Sequence, residues 1–85
     1  MISSNPDHTI PYGNITSPGE LGRLLRARRR EIRMTQAEAS ALAGVGIRFL
    51  SELENGKSTA ELGKVMQVLA RLGLVLQVSP RGRGP

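Results

Sequence analysis

The chain is 85 residues long and carries twelve Lys and Arg, ten of them Arg, against seven Asp and Glu, for a formal charge of +5. A chain of this length holds one small core, near the size at which burial only just offsets chain entropy, so a second copy is a natural source of extra buried area. Cysteine is absent and His8 is the only histidine, which excludes disulfides, thiolate metal sites and a histidine metal cluster, and no apolar stretch approaches the ~18 residues of a membrane span.

Chain order gives the organisation. Residues 1–16, with Pro6, Pro11 and Gly13, show neither helical nor alternating period and are expected to form a flexible leader, in which only Ile10 and Tyr12 have much to bury. His8 is expected to be a solvated loop residue. Nothing near Met1 has the basic-then-apolar pattern of an export signal, so a soluble, cytoplasmic protein is expected. Ser17, Pro18 and Glu20 supply an N-cap, a proline at the first helical position and a glutamate at the third. They predict a helix to about Arg33, with Leu21, Leu24, Leu25 and Ile32 on one side. Arg23, Arg26, Arg29, Arg30 and Arg33 cover much of the rest, some facing solvent or phosphate and some structural, one of them partnering Glu38 or Glu54.

Thr35 and Glu38 form a capping box that starts a second helix, from about Gln36 to Ala43, and Gly44 falls where a left-handed residue should end it. Gly46 opens a third helix, from about Ile47 to Asn55, closed by Gly56. Two short helices joined by a tight glycine turn have the layout of a helix-turn-helix. Ser58 and Glu61 read as a further capping box, ahead of a fourth amphipathic helix marked by Leu62, Val65, Met66, Leu69 and Leu72 and ended by Gly73. The period then changes. Leu74, Leu76 and Val78 alternate with Val75 and Gln77, as in a short strand stopped by Pro80. A lone strand needs a partner, and the same segment of a second copy is the economical one; an apolar tail resting on the core is the alternative. The domain is thus expected over residues 17–79, followed by a flexible basic tail, 80–85.

Thr35, Gln36, Gly44, Val45, Ser51, Glu54 and Gly56 fall at the spacing of the lambda-repressor-like, Xre-type regulators. The runs GVGIRFLSELENGK and TAELGKVMQVLARLGLVLQV resemble the HipB-like antitoxins of that group, with a likeness extending from roughly Leu21 to Val78. Ala39 and Ser40 depart from the usual Leu and Ala, and Ser58 from a common Pro. The resemblance implies an all-α, lambda-repressor-like bundle of four helices with a short C-terminal strand paired across a homodimer.

In a helix-turn-helix the first residues of the second helix face base edges, while the start of the preceding helix and the loop after the pair lie along phosphates. Ile47, Arg48 and Ser51 are therefore the candidates for the major groove. Arg48 is the strongest of them, because its fork matches guanine O6 and N7. A surface ion pair with Glu52, four residues on, is its duller alternative. Gly46 permits close backbone approach. Thr35, Asn55, Lys57 and Ser58 are placed along phosphates, and the resemblance adds Gln36 as a phosphate ligand that braces the recognition residues. Phe49, Leu50 and Leu53 should face inward.

Neither GELGRLL nor the RGRGP end has phosphate-loop spacing, and no poised nucleophile or acid–base pair is apparent, so no enzyme, cofactor, metal or small-molecule substrate is expected. The expected partner is double-stranded DNA bearing a palindromic operator, bound by a homodimeric repressor. The resemblance adds a HipA-type serine/threonine kinase toxin as a second partner. A stand-alone Xre-type regulator and a small basic assembly protein with incidental DNA affinity are the alternatives.

Overall fold

The computed structural model describes residues 12–82; the expectations for His8, Ile10 and the end of the basic tail lie outside them. The described residues form four helices and no strand: α1 (Pro18–Glu31), α2 (Gln36–Ala43), α3 (Ile47–Glu54) and α4 (Leu62–Arg71). Helix α1 starts as predicted, with Pro18 in its first turn and the Ser17 hydroxyl accepting the Glu20 N–H at 3.1 Å. The Glu20 carboxylate reaches back one residue further, accepting from the Thr16 N–H and hydroxyl at 2.6 and 2.8 Å. The predicted capping box of α2 is complete: Glu38 N–H donates to the Thr35 hydroxyl at 3.0 Å and Thr35 N–H to the Glu38 carboxylate at 2.8 Å.

The box expected at Ser58 and Glu61 does not form. Glu61 is itself the extended cap residue of α4, without a side-chain cap bond, and Ser58 is exposed. Ala60 packs against the core, so the loop is drawn inward before the helix begins at Leu62. The inward face of α4 is also shifted from the predicted one. Val65, Val68, Leu69 and Leu72 are buried, whereas Leu62 and Met66 are exposed.

All four helices close in the same way. The N–H of Met34, Val45, Lys57 and Leu74 donates to the carbonyl five residues earlier, on Arg29, Ser40, Glu52 and Leu69, at 2.9–3.1 Å. The residue just before each donor is left-handed: Arg33, Gly44, Gly56 and Gly73, at φ 60, 74, 87 and 76°. Helix α1 therefore ends at Glu31, short of the predicted Arg33, at a turn carrying an arginine where the other three carry glycine.

The core is built from Leu24 and Leu25 of α1, Ala39 and Ala43 of α2, Leu50 and Leu53 of α3, and the inward face of α4. Ala39 and Ser40, the departures from the family pattern, are both buried, and the Ser40 hydroxyl is satisfied by the Ala37 carbonyl at 3.1 Å. Phe49 packs partly against the core, with the Lys64 ammonium 5.7 Å from its ring centroid. N-terminal to α1, Ile15 packs on the core and the Tyr12 hydroxyl donates to Glu31 at 3.0 Å, so contacts of the packed unit extend ahead of Ser17. The segment after α4, read as a strand in the sequence, has no regular structure in the single chain; Val75 and Val78 are 82% and 93% exposed.

Two contacts lock α1 onto the end of α3. A Cβ on Gly22 would stand 2.5 Å from the Glu54 carbonyl oxygen and 2.6 Å from that of Leu53, so only glycine allows this approach. Two turns along the same face, buried Arg29 meets buried Glu54 through two parallel bonds, Nε to Oε2 at 2.7 Å and a terminal nitrogen to Oε1 at 2.9 Å. Arg29 also donates to the Met34 carbonyl at 2.9 Å, and Gln36 donates to Glu54 Oε1 at 3.0 Å. Every buried side-chain polar atom among the described residues is bonded.

Gly22→Ala should therefore lower stability by about 1–3 kcal/mol in urea unfolding at fixed protein concentration. Gly63→Ala should raise it by about 0.4–1 kcal/mol, since the added Cβ meets only the end of the Glu61 side chain at 3.7 Å. Burial alone would raise the Glu54 carboxyl, but the bonds from Arg29 and Gln36 outweigh it and hold it below the usual carboxylate range. A depressed folded value gives stability that is fully present above about pH 4.3 and lost as pH falls through that folded value. Glu54→Gln should flatten this acid limb, and Glu54→Ala should cost about 3–5 kcal/mol near neutrality by stranding the arginine, both read from pH-dependent melting.

Candidate nucleic-acid interface

The turn between α2 and α3 needs a left-handed residue, and Gly44 provides it without a Cβ penalty (φ 74°, ψ 29°). Val45 leans on the core, and Gly46 caps α3 in an extended conformation with nothing within 4 Å of where a Cβ would be. No side chain caps α3 and no acidic residue lies in its first turn. The amide donors and positive dipole end of this helix therefore face outward beside an open glycine, an arrangement suited to an anion.

The three predicted base readers sit at this end. Ile47 is 51% exposed, the Arg48 side chain is 90% exposed, and Ser51 is half-buried one turn along from Ile47. Arg48 does make the anticipated contact with Glu52, Nε to Oε2 at 3.4 Å, but an exposed pair of this kind is a weak restraint. Leu50 and Leu53, on the opposite face, are buried and fix the rotation of α3 about its axis.

The predicted phosphate ligands fall into two groups. Thr35 and Gln36 lie at the start of α2, where the Thr35 hydroxyl caps the helix and the Gln36 amide is bonded to Glu54. Gln36 is thus a brace between α2 and α3 in the free chain, which couples the start of α2 to the buried ion pair. Asn55, Lys57 and Ser58 follow α3, all exposed. The Asn55 amide donates to the Ser51 carbonyl at 3.0 Å, and Lys57 Nζ donates to Glu52 Oε1 at 3.1 Å.

Glu52 is the residue whose place at this surface the linear pattern understated. Its pairing with Lys57 spans the end of α3 and depends on the turn that follows, so helical spacing could not reveal it. Hydrogen bonding and charge from Lys57, reinforced by Arg48, hold its carboxyl below the usual range, so it is an anion at neutral pH. Among the described residues no group of His, Cys, Asp and Glu could hold a metal ion, and no helix is long and apolar enough to cross a membrane.

Comparison with known proteins agrees with this geometry. A family model described as a helix-turn-helix domain matches residues 20–82. An uncharacterized HTH-type transcriptional regulator, y4mF, of Sinorhizobium fredii is 44% identical over 68 residues, covering 80% of this chain and 90% of that protein. Among solved structures, a HipB-O4 20mer complex superposes with a TM-score of 0.76 at 23% identity, over 82% of this chain and 99% of that one. A HipA-HipB-O2-O3 complex matches with a TM-score of 0.75 over the same shares, also at 23% identity. At that identity the two structures establish the shared fold. The family match and the regulator relative together show that this chain belongs to the helix-turn-helix transcriptional regulators.

Proposed function

We propose that the protein is a sequence-specific repressor that binds a palindromic operator in double-stranded DNA as a homodimer, in the nucleoid-bearing cytoplasm, and partners a HipA-type serine/threonine kinase toxin as its antitoxin. The observation that carries the DNA-binding part is the outer face of α3. An exposed arginine stands beside an uncapped, glycine-opened helix start, and a lysine follows the helix end, on an element held in place by a buried ion pair. Arg48 reads a base edge, with Ile47 and Ser51 beside it. Thr35, Gln36, Gly46, Asn55, Lys57 and Ser58 lie along phosphates.

Dimerisation through Leu74–Val78 is supported by the exposure of Val75, Leu76 and Val78, an apolar run that a soluble monomer has reason to cover. Two such chains, paired antiparallel along this run, would present two recognition helices to half-sites about one turn of DNA, roughly 34 Å, apart. The toxin partner is supported by the likeness to HipB chains solved on operator duplexes and together with HipA. A stand-alone regulator is the second reading, favoured by the 44% identical relative, whose name is that of a regulator alone.

Selection of random duplexes by the full chain should enrich a palindrome. On it, Arg48→Ala should cost about 1–3 kcal/mol at one base pair per half-site and relax the preference there. Lys57→Ala should weaken binding to every duplex and reduce the salt slope by about 0.9. Equal losses for Arg48→Ala on the palindrome and on random DNA would remove Arg48 from base reading. Deleting Leu74–Val78 should halve the mass in light scattering, and an unchanged mass would defeat the shared strand. Nuclease-treated affinity purification from native cells decides between the two partner readings: a stoichiometric kinase-sized companion supports the antitoxin, and the homodimer alone supports the stand-alone regulator.

A further inference from the structure

Glu52 has no assigned role, yet it contacts both exposed cations of the α3 face. Its two carboxylate oxygens are used separately: Oε1 accepts Lys57 Nζ at 3.1 Å, and Oε2 faces Arg48 Nε at 3.4 Å. Its main-chain carbonyl also accepts the Lys57 N–H at 3.1 Å, so the end of α3 and the following loop are joined at this residue twice. The side chain is 38% exposed and forms no part of the core.

The manner of the Arg48 contact is informative. A carboxylate facing Nε leaves both terminal guanidinium nitrogens outward, and those two donors match a base edge with two acceptors, as guanine offers in the major groove. A long arginine that is otherwise almost wholly solvated loses much rotamer entropy on docking. A partner that orients it beforehand, without consuming the donors that read the base, reduces that loss. The same negative charge opposes the approach of any phosphate chain, a penalty independent of sequence.

We propose that Glu52 is the positioning residue for Arg48, setting its preference for guanine while disfavouring sequence-independent binding. This rests on the DNA-binding reading above. The test uses the full chain and the palindrome selected by the unaltered protein. Binding is measured to that palindrome, to the palindrome with the Arg48-dependent base pair changed, and to an unrelated duplex.

Glu52→Gln should reduce the preference for that base pair at least threefold, a part of what Arg48→Ala removes, and should strengthen binding to unrelated DNA several-fold at low salt. Glu52→Asp keeps the charge but shortens the reach, and should lose the base preference without the gain on unrelated DNA. In the Arg48→Ala background, Glu52→Gln should leave the preference at that base pair unchanged. Circular dichroism melting confirms that each variant is folded, as expected for a surface position.

An equal change on all three duplexes would make Glu52 a bystander charge and overturn the proposal. So would a lost preference at a different base pair that persists without Arg48, which would mean that Glu52 contacts a base itself. Failure of the unaltered protein to enrich any sequence would defeat the DNA-binding reading and this inference together. Enrichment with an Arg48-dependent base pair that is indifferent to Glu52 would defeat this inference alone.

Discussion

The bidentate pair between Arg29 and Glu54 is the contact on which the placement of the helix-turn-helix depends. Both groups are buried, and neither has enough water nearby to remain charged without the other. The pair fixes the end of α3 against the middle of α1, and Gly22, two turns earlier on the same face, brings the backbones close enough for the bonds to reach. Gln36 extends the arrangement to the start of α2 through the same carboxylate, and the Met34 carbonyl ties in the turn between α1 and α2. One cluster therefore sets the relative position of three helices. A buried pair adds little net stability over an apolar replacement, but it tolerates only one register, and register is what a recognition helix requires.

The surface chemistry follows from what that cluster leaves exposed. With Leu50 and Leu53 turned inward, the opposite face of α3 presents Ile47, Arg48 and Glu52. The arginines of α1 do not act as one basic stripe. Arg29 is internal, and Arg28 spends its Nε on the Leu72 carbonyl at 2.8 Å and a terminal nitrogen on Glu31 at 2.9 Å, closing the end of α4 against α1. Gln67 does the same for the end of α2 by donating to the Ala43 carbonyl at 3.1 Å. Net charge thus overstates the cationic surface available to a partner, and the individual pairings decide it.

Helix ends show how far local signals carry. The bounds of α2 were legible because Thr35, Glu38 and Gly44 each impose a conformation through their own side chain or its absence. Gly56 and Gly73 marked the left-handed turns after α3 and α4 for the same reason. The identical turn after α1 was not legible, because its left-handed residue is Arg33, a type that pays a steric cost of about 1 kcal/mol there. Arg29 holds that turn by bonding the Met34 carbonyl, a restraint that is itself held from α3. The expected box at Ser58 failed for the converse reason: the local pattern was present, but packing of Ala60 delayed the helix.

By itself the sequence determined the four helices, the helix-turn-helix among them, the exposed readers at the start of α3 and the family to which the chain belongs, since periodicity, caps and glycine turns act within a few residues. Tertiary structure alone decided which arginine is internal, that Gln36 braces Glu54, that α4 turns Val68 inward and Met66 outward, and that Glu52 joins Arg48 to Lys57. These depend on side chains brought together across helices or around a helix end, where the free energy of a contact is set by burial and geometry rather than by neighbours in the chain.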